Sequence, residues 1–426
     1  MQAYRSEIFH CVSDPGEHDR PESGEHFEDG LLLVDNGRVV DIGPWTKLSD
    51  QLGDTRVVDL RGKLIIPGLI DCHVHFPQID IIAAYGEQLI DWLNRYAYPA
   101  EMRFTDVDYA REAAGFFLDE LLKNGTTTAA IFATVHAHSA DVLFEAAQKR
   151  GMRIIAGKVL MDRNCPEGLR DSPESAYADS RALIEKWHGR DRLGYAITPR
   201  FALSSSEAQL QAAGKLAAEF EDTWIHTHLS ENKSEIAAVA DQFTWSDGYL
   251  DVYDHFGLVR ERSIFAHGVH LTDAERRHMH EKGSAVAFCP TSNLFLGSGL
   301  LDLRSLRNAM VRVGIGSDVG GGTSLSLLRT LSEAYKVLQL QQQNLPARRA
   351  LYLATLGAAE ALYLDDRIGN LEKGKEADFI VIDPSASDIM QRRNATCGDI
   401  SERLFATINL GDDRNILQTY VNGQPA

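Results

Sequence analysis

The 426-residue chain is poor in cysteine: Cys11, Cys72, Cys165, Cys289 and Cys397 are its five, and no two are closely spaced. An odd number at such distances supports neither a disulfide framework nor a cysteine zinc knuckle, and suits free thiols in a reducing compartment. Long hydrophobic runs are also missing. No stretch reaches the eighteen or so apolar residues that span a bilayer, and the opening MQAYRSEIFHCV lacks an apolar core of signal-peptide length. A cytoplasmic protein without membrane partners is therefore expected. Positive charge is in deficit, with 43 Lys and Arg against 61 Asp and Glu and a formal net charge of -18. So acidic a chain is a poor ligand for a phosphate backbone, which argues against a nucleic-acid partner.

Several catalytic signatures are absent too. There is no HExxH, no GxSxG elbow, no GxGxxG, and no H-x-E paired with P-C-x-x-C. The stretch from Gly369 to Lys375 imitates a phosphate-binding loop, but Glu376 stands where Ser or Thr belongs, so a turn before a strand is expected.

What is present is a substantial core. Hydrophobic residues make up 44% and charged residues 24%, the balance of an ordinary soluble globular protein. Both ends are β-rich. Residues 31–34, 39–42 and 57–60 near the amino end, and 377–383 and 416–422 near the carboxyl end, read as strands, with hairpin signals at Asn36-Gly37 and Asn422-Gly423. One composite β-sandwich module, built from residues 1–66 and 366–426, is the expectation.

Between them, residues 67–365 alternate apolar runs with amphipathic segments. The runs are 69–76, 127–135, 153–161, 193–201, 223–230, 263–271, 284–292 and 312–319. Eight strands alternating with helices read as an α/β fold, a (β/α)8 TIM-like barrel with parallel strands buried on both faces. Residues 77–104 read as a long loop carrying Tyr85, Trp92, Tyr96 and Tyr98, a lid or an interface.

In such a barrel, chemistry lies at the carboxyl ends of the strands. The first run ends in His73-Val-His75, and a period of two puts both imidazoles on one face. The fifth ends in His226-Thr-His228 with Glu231 three residues on, the sixth in His267, and the eighth in Gly316-Ser317-Asp318. Nitrogen and oxygen ligands without thiolate suit one catalytic zinc per chain, with iron the second choice. His226 lies deeper than His228 and reads as a core hydrogen-bonding group. His136 and His138 repeat the pattern on the second strand but read as a polar rim, and His270, His278 and His280 as surface.

These residues resemble the amidohydrolase superfamily: PGLIDCHVHF at 67–76, the His228 and His267 strand ends and GSD at 316–318 follow its order and spacing. Dinuclear members carry a carboxylated lysine ending the fourth strand. Here Thr198-Pro199-Arg200-Phe201 occupies that place, and Lys158 in the third strand is a poor substitute, so the resemblance implies a single metal. The stretches TPRFALS at 198–204, HTHLSEN at 226–232 and CPTSNLFLGSG at 289–299 are similar to the guanine deaminases within it. That similarity implies His73, His75, His228 and Asp318 as metal ligands. It implies His267 beside the water, Gln78, Arg200 and Phe201 around guanine, and a homodimer. His138 departs from the pattern, since a less basic residue is expected there.

The expected chemistry is hydrolysis of guanine to xanthine and ammonia. Asp318 takes a proton from water, Glu231 carries one to the ring nitrogen, and His267 orients the water. The alternatives are deamination of a related heterocycle, such as 8-oxoguanine or an adenosine derivative, release of chloride, or a catalytically dead scaffold barrel. The last sits badly with the retained ligand set and Glu231.

Overall fold

The computed structural model describes residues 1–426. The chain forms two compact units, one from Met1–Ile70, Glu120–Thr128 and Ser326–Ala426, the other from Asp71–Asp119 and Ala129–Leu325.

The amino-terminal strands are β1 (Gln2–Cys11), β2 (Gly24–Asp35), β3 (Arg38–Pro44) and β4 (Val57–Pro67). β2 turns into β3 through Asn36 and Gly37, both at positive φ (48° and 75°), the backbone that a two-residue hairpin of matching twist requires. Period-two burial sorts the side chains of this region. Tyr4, Ile8, Leu32 and Val34 pack in one apolar cluster, and Ala3, Leu31 and Leu33 join Leu48 and Leu52 in another.

A second sheet is built from β5 (Leu69–His75), β6 (Thr126–Phe132), β7 (Arg153–Gly157), β8 (Val159–Leu160), β9 (Leu193–Pro199), β10 (Trp224–Leu229), β11 (Ser263–His267), β12 (Ala285–Phe288) and β13 (Arg312–Ile315). Its order is β5-β6-β7-β9-β10-β11-β12-β13, with β8 paired to β9. The eight long strands make a nearly closed parallel barrel. Beyond β13 the chain meets β5 again: Asp318 N donates to His73 O at 2.8 Å, and His75 N to Val319 O at 2.8 Å. Every residue of β5, β6, β9 and β11 is buried, as parallel strands covered on both faces require.

Two strand expectations change in detail. The third run breaks at Lys158, because Gly157 approaches β9 so closely that a Cβ there would lie 1.8 Å from the Ala196 carbonyl oxygen. The eighth run leaves strand geometry after Ile315, and Asp318 adopts φ 49°. Residues 77–104 are also more ordered than a loop. They form short helical turns at Phe76–Ile81, Leu89–Trp92, Leu93–Ala97 and Tyr98–Met102.

The carboxyl end supplies β14 (Phe379–Ile382), β15 (Ile416–Val421) and β16 (Gln424–Pro425). β14 pairs antiparallel with β4, giving one seven-stranded sheet of order β16-β15-β14-β4-β1-β2-β3. The Gly369–Lys375 stretch lies before β14 with Lys375 paired to Glu372 at 3.3 Å, as expected of a turn.

Candidate active site

Ligand atoms of His73, His75, His228 and Asp318 all lie within 4.8 Å of one another. His73 and His75 project inward from the end of β5, and His228 from β10. The left-handed backbone at Asp318 turns its carboxylate toward them: Asp318 Oδ1 is 3.1 Å from His73 Nε2 and 3.4 Å from His75 Nε2. His75 Nε2 stands 3.2 Å from both His73 Nε2 and His228 Nε2. Burial pushes the pKa of each imidazole down, so all three are neutral.

The hydrogen bonds behind the rings fix their roles. His228 Nδ1 lies 2.6 Å from the Arg200 carbonyl oxygen, which only accepts, so Nδ1 carries the hydrogen and Nε2 a lone pair. His73 Nδ1 meets His226 Nε2 at 2.8 Å. Asp71, buried within β5, accepts from Ser317 N at 3.0 Å and His73 N at 3.1 Å, and burial pushes its carboxyl up to about 7. Neutral imidazole nitrogens crowded around one carboxylate, with thiolate absent, are a donor set that a divalent cation fits. Cys289 Sγ falls near His267 and Asp318, but burial holds its thiol far above neutral, so it stays protonated.

Next to this cluster stand Glu231 and His267. His267 sits at φ 75°, with Nε2 3.5 Å from Glu231 Oε2 and 3.8 Å from Asp318 Oδ2. Burial alone would lower its pKa, but the two carboxylates outweigh burial and raise it. Burial lifts the Glu231 carboxyl to about 7, with Glu235 and Asp318 adding to the effect. Ser298 Oγ donates to Glu231 Oε1 at 2.8 Å, Ser292 Oγ to Asp318 Oδ2 at 2.5 Å, and Asn293 Oδ1 meets His267 Nδ1 at 2.9 Å. The PTSNLFLGSG segment is thus a set of polar props for the reactive groups. Sequence reasoning quoted that segment without assigning those roles.

A cavity of about 400 Å³ opens beside both groups, and its wall includes Gln78, Trp92, Arg200, Phe201, Glu231 and Asp318. Sequence reasoning missed the residue that organises one side of it. Glu101 is fully buried and accepts from Arg200 Nη1 at 2.8 Å on each carboxylate oxygen. Gln78 Nε2 donates to Glu101 Oε1 at 2.9 Å, while Gln78 Oε1 accepts from Gly320 N at 3.1 Å. Arg200 also lies over the Tyr98 ring, 5.3 Å from its centroid. Nothing in the sequence singles it out, since the same stretch also carries Asp80, Glu87 and Asp91.

The remaining histidines lie elsewhere. His136 and His138 stack on each other, ring centroids 5.6 Å apart, and His138 Nε2 meets the Phe104 carbonyl oxygen at 2.6 Å. Lys158 is buried and paired with Asp171. His270 meets the Ser298 carbonyl oxygen at 2.8 Å, His278 meets Asp254 at 2.8 Å, and His280 is exposed.

A family model described as "Amidohydrolase family" matches residues 64–426. Guanine deaminase of Escherichia coli K12 is 53% identical over 399 residues, covering 93% of this chain and 91% of that protein. Its solved structure superposes with a TM-score of 0.98 at 50% identity, covering 100% of this chain and 99% of that one. A guanine deaminase from C. acetobutylicum with guanine bound in the active site gives a TM-score of 0.91 at 31% identity, covering 100% and 99%. An adenosine deaminase from Xanthomonas campestris with bound zinc gives 0.84 at 25% identity, covering 100% and 92%.

Proposed function

This chain belongs to the amidohydrolase family, and on that premise we propose that it hydrolyses guanine to xanthine and ammonia. The observation that carries the reading is one cavity beside a four-donor cluster, with a carboxyl near neutrality and the polar side chains of Gln78 and Arg200 on its wall. The guanine-bound relative from C. acetobutylicum supports the substrate.

His73, His75, His228 and Asp318 would hold one zinc ion, with iron the second choice. A bound divalent ion of this kind lowers the pKa of a coordinated water from 15.7 to about 7. The chain's own groups do the rest. Burial opposes the charge of Asp318, but its contacts with His73, His267 and Ser292 outweigh burial and keep the carboxyl below its usual range, so it is ionised and accepts the proton of the attacking water. Glu231, its carboxyl pushed up to about 7, is protonated in a large fraction of molecules at neutral pH and passes that proton to the purine ring nitrogen, making the amine-bearing carbon electrophilic. His267 orients the water and donates toward the oxygen that becomes negative. Ammonia departs after a second protonation.

Phe201 offers a ring face for stacking. Arg200 presents donors to the 6-oxo group, an acceptor adenine lacks. Gln78 keeps one amide hydrogen beyond the one Glu101 takes. A site built to bond an oxo group leaves donors unpaired with adenine, a mismatch of several powers of ten in kcat/KM.

Ammonia release from guanine, adenine, guanosine and 8-oxoguanine in parallel tests the reading. Guanine-selective release is expected. Release only from another heterocycle would keep the chemistry and discard the roles of Gln78, Arg200 and Phe201. The reading extends to a cytoplasmic homodimer. That the five cysteines form no disulfide supports the reducing compartment, and light scattering on purified protein checks the dimer.

A further inference from the structure

Glu101 has no part in the chemistry above, yet it is a fully buried carboxyl beside the cavity. A carboxylate with a side-chain exposure of 1% persists only where partners satisfy it. Its partners are the two side chains that face the purine edge. It takes both of its Nη1 contacts from Arg200 at 2.8 Å and one from Gln78 at 2.9 Å. Gln78 follows β5 and Arg200 follows β9, so Glu101, on the short helix Tyr98–Met102, ties together groups from distant strands.

The tie has two consequences. The first is orientation. Gln78 is held at both ends, by Glu101 and by Gly320 N, so which amide atom faces the cavity is fixed. The Arg200 guanidinium is anchored at Nη1, which meets both oxygens of the Glu101 carboxylate, and packs against the Tyr98 ring. The second is charge. Arg200 alone would make this wall cationic and favour anions, whereas the pair is neutral and suits an uncharged oxo-heterocycle. The arrangement also reaches the reactive side, because the Arg200 carbonyl oxygen receives His228 Nδ1.

We propose that Glu101 is a positioning residue that sets purine specificity by holding Arg200 and Gln78 as one rigid recognition unit; this rests on the guanine-hydrolysing reading above. The test is steady-state kinetics of the metal-loaded enzyme and its Glu101→Gln and Glu101→Asp variants on guanine and adenine, with metal content and Tm measured alongside. For Glu101→Gln, KM for guanine should rise about 10- to 100-fold with kcat within about threefold, because binding contacts rather than proton transfers are lost. The guanine-to-adenine ratio of kcat/KM should fall at least about tenfold, and Glu101→Asp should lie between wild type and Glu101→Gln. A purely structural role would lower Tm or the active fraction and leave KM and the ratio unmoved, which would overturn the proposal. If Glu101→Gln does not fold, Glu101→Asp decides: an unchanged ratio overturns it and a reduced ratio supports it. A wild-type enzyme inert on guanine would reject the functional reading instead, a result distinct from active variants with unaltered discrimination.

Discussion

On one side of the cavity, three neutral imidazoles face a single carboxylate, with Glu231 a further acid beside it. On the other, Arg200 is matched by Glu101 and Gln78 is bonded at both ends. The first wall has surplus lone pairs and negative charge, a donor set that a divalent cation fits. The second is balanced by the chain itself. One wall is thus left to be balanced by an occupant, and the other is balanced before substrate arrives, the condition under which recognition costs least ordering entropy.

Removing a donor from the first wall should break this contrast most severely. Asp318→Asn and His75→Ala should lose metal affinity by more than the ~10- to 100-fold that loss of a mere supporting partner costs, and ammonia release should vanish with the metal. Elemental analysis after dialysis against a chelator reads the first effect and the ammonia assay the second. Retention of both in either variant would show that the four donors are not the ligand set.

Glu231→Gln comes next in size. It keeps the shape of a carboxyl that burial holds near neutrality but removes the proton, so kcat should fall about 10²- to 10⁴-fold. Metal content should stay near wild type, since Glu231 touches neither the ligand cluster nor the Gln78–Glu101–Arg200 wall. A matching loss of metal would mean that the two walls are not separable in this way.

A smaller effect is expected at His226→Ala. His226 meets His73 Nδ1 at 2.8 Å and so sets which nitrogen of that ring points inward. Loss of such a partner weakens metal binding by about 10- to 100-fold, and excess metal in the assay should restore turnover. Activity that excess metal fails to restore would point to a collapse of the strand end rather than a loosened ligand.

The same contrast explains what the sequence makes legible. His73, His75, His228 and Asp318 each terminate an apolar run, and strand periodicity turns the two His-x-His pairs inward without knowledge of the tertiary fold. The barrel and the hairpin at Asn36-Gly37 are legible for the same reason, because local pattern and final structure agree. Glu101 is not. It lies 23 residues from Gln78 and 99 from Arg200, in short helical turns that have no long period, and its meaning comes only from where those turns fold back. The break at Lys158 escaped notice for a similar cause, since it follows from a backbone approach between β7 and β9 that neither strand's pattern records.

The smallest expected effect uses a second clamped carboxylate to sharpen the comparison. Asp412, in the unit that carries the terminal sheet, accepts from Arg414 Nη2 at 2.8 Å and Arg329 Nη2 at 3.0 Å, as Glu101 accepts from Arg200. Here, however, the arginines are 74% and 60% exposed, so water screens the pair. The Arg414 hydrogen bonds outweigh burial and hold the Asp412 carboxyl far below its usual range. A depressed folded pKa means that the stabilisation is present above the unfolded value of about 3.9 and is lost as pH falls below it toward the folded value. Asp412→Asn retains the side-chain oxygen that caps the turn at Asp413–Asn415 and removes the charge alone. It should lower Tm by about 1–2 °C at pH 7, with the difference shrinking below about pH 4, and leave kcat and KM for guanine untouched. Thermal melts of both proteins across that range check it. A Tm loss that stays constant from pH 7 to pH 3 would assign the effect to packing and remove the charge argument at this site.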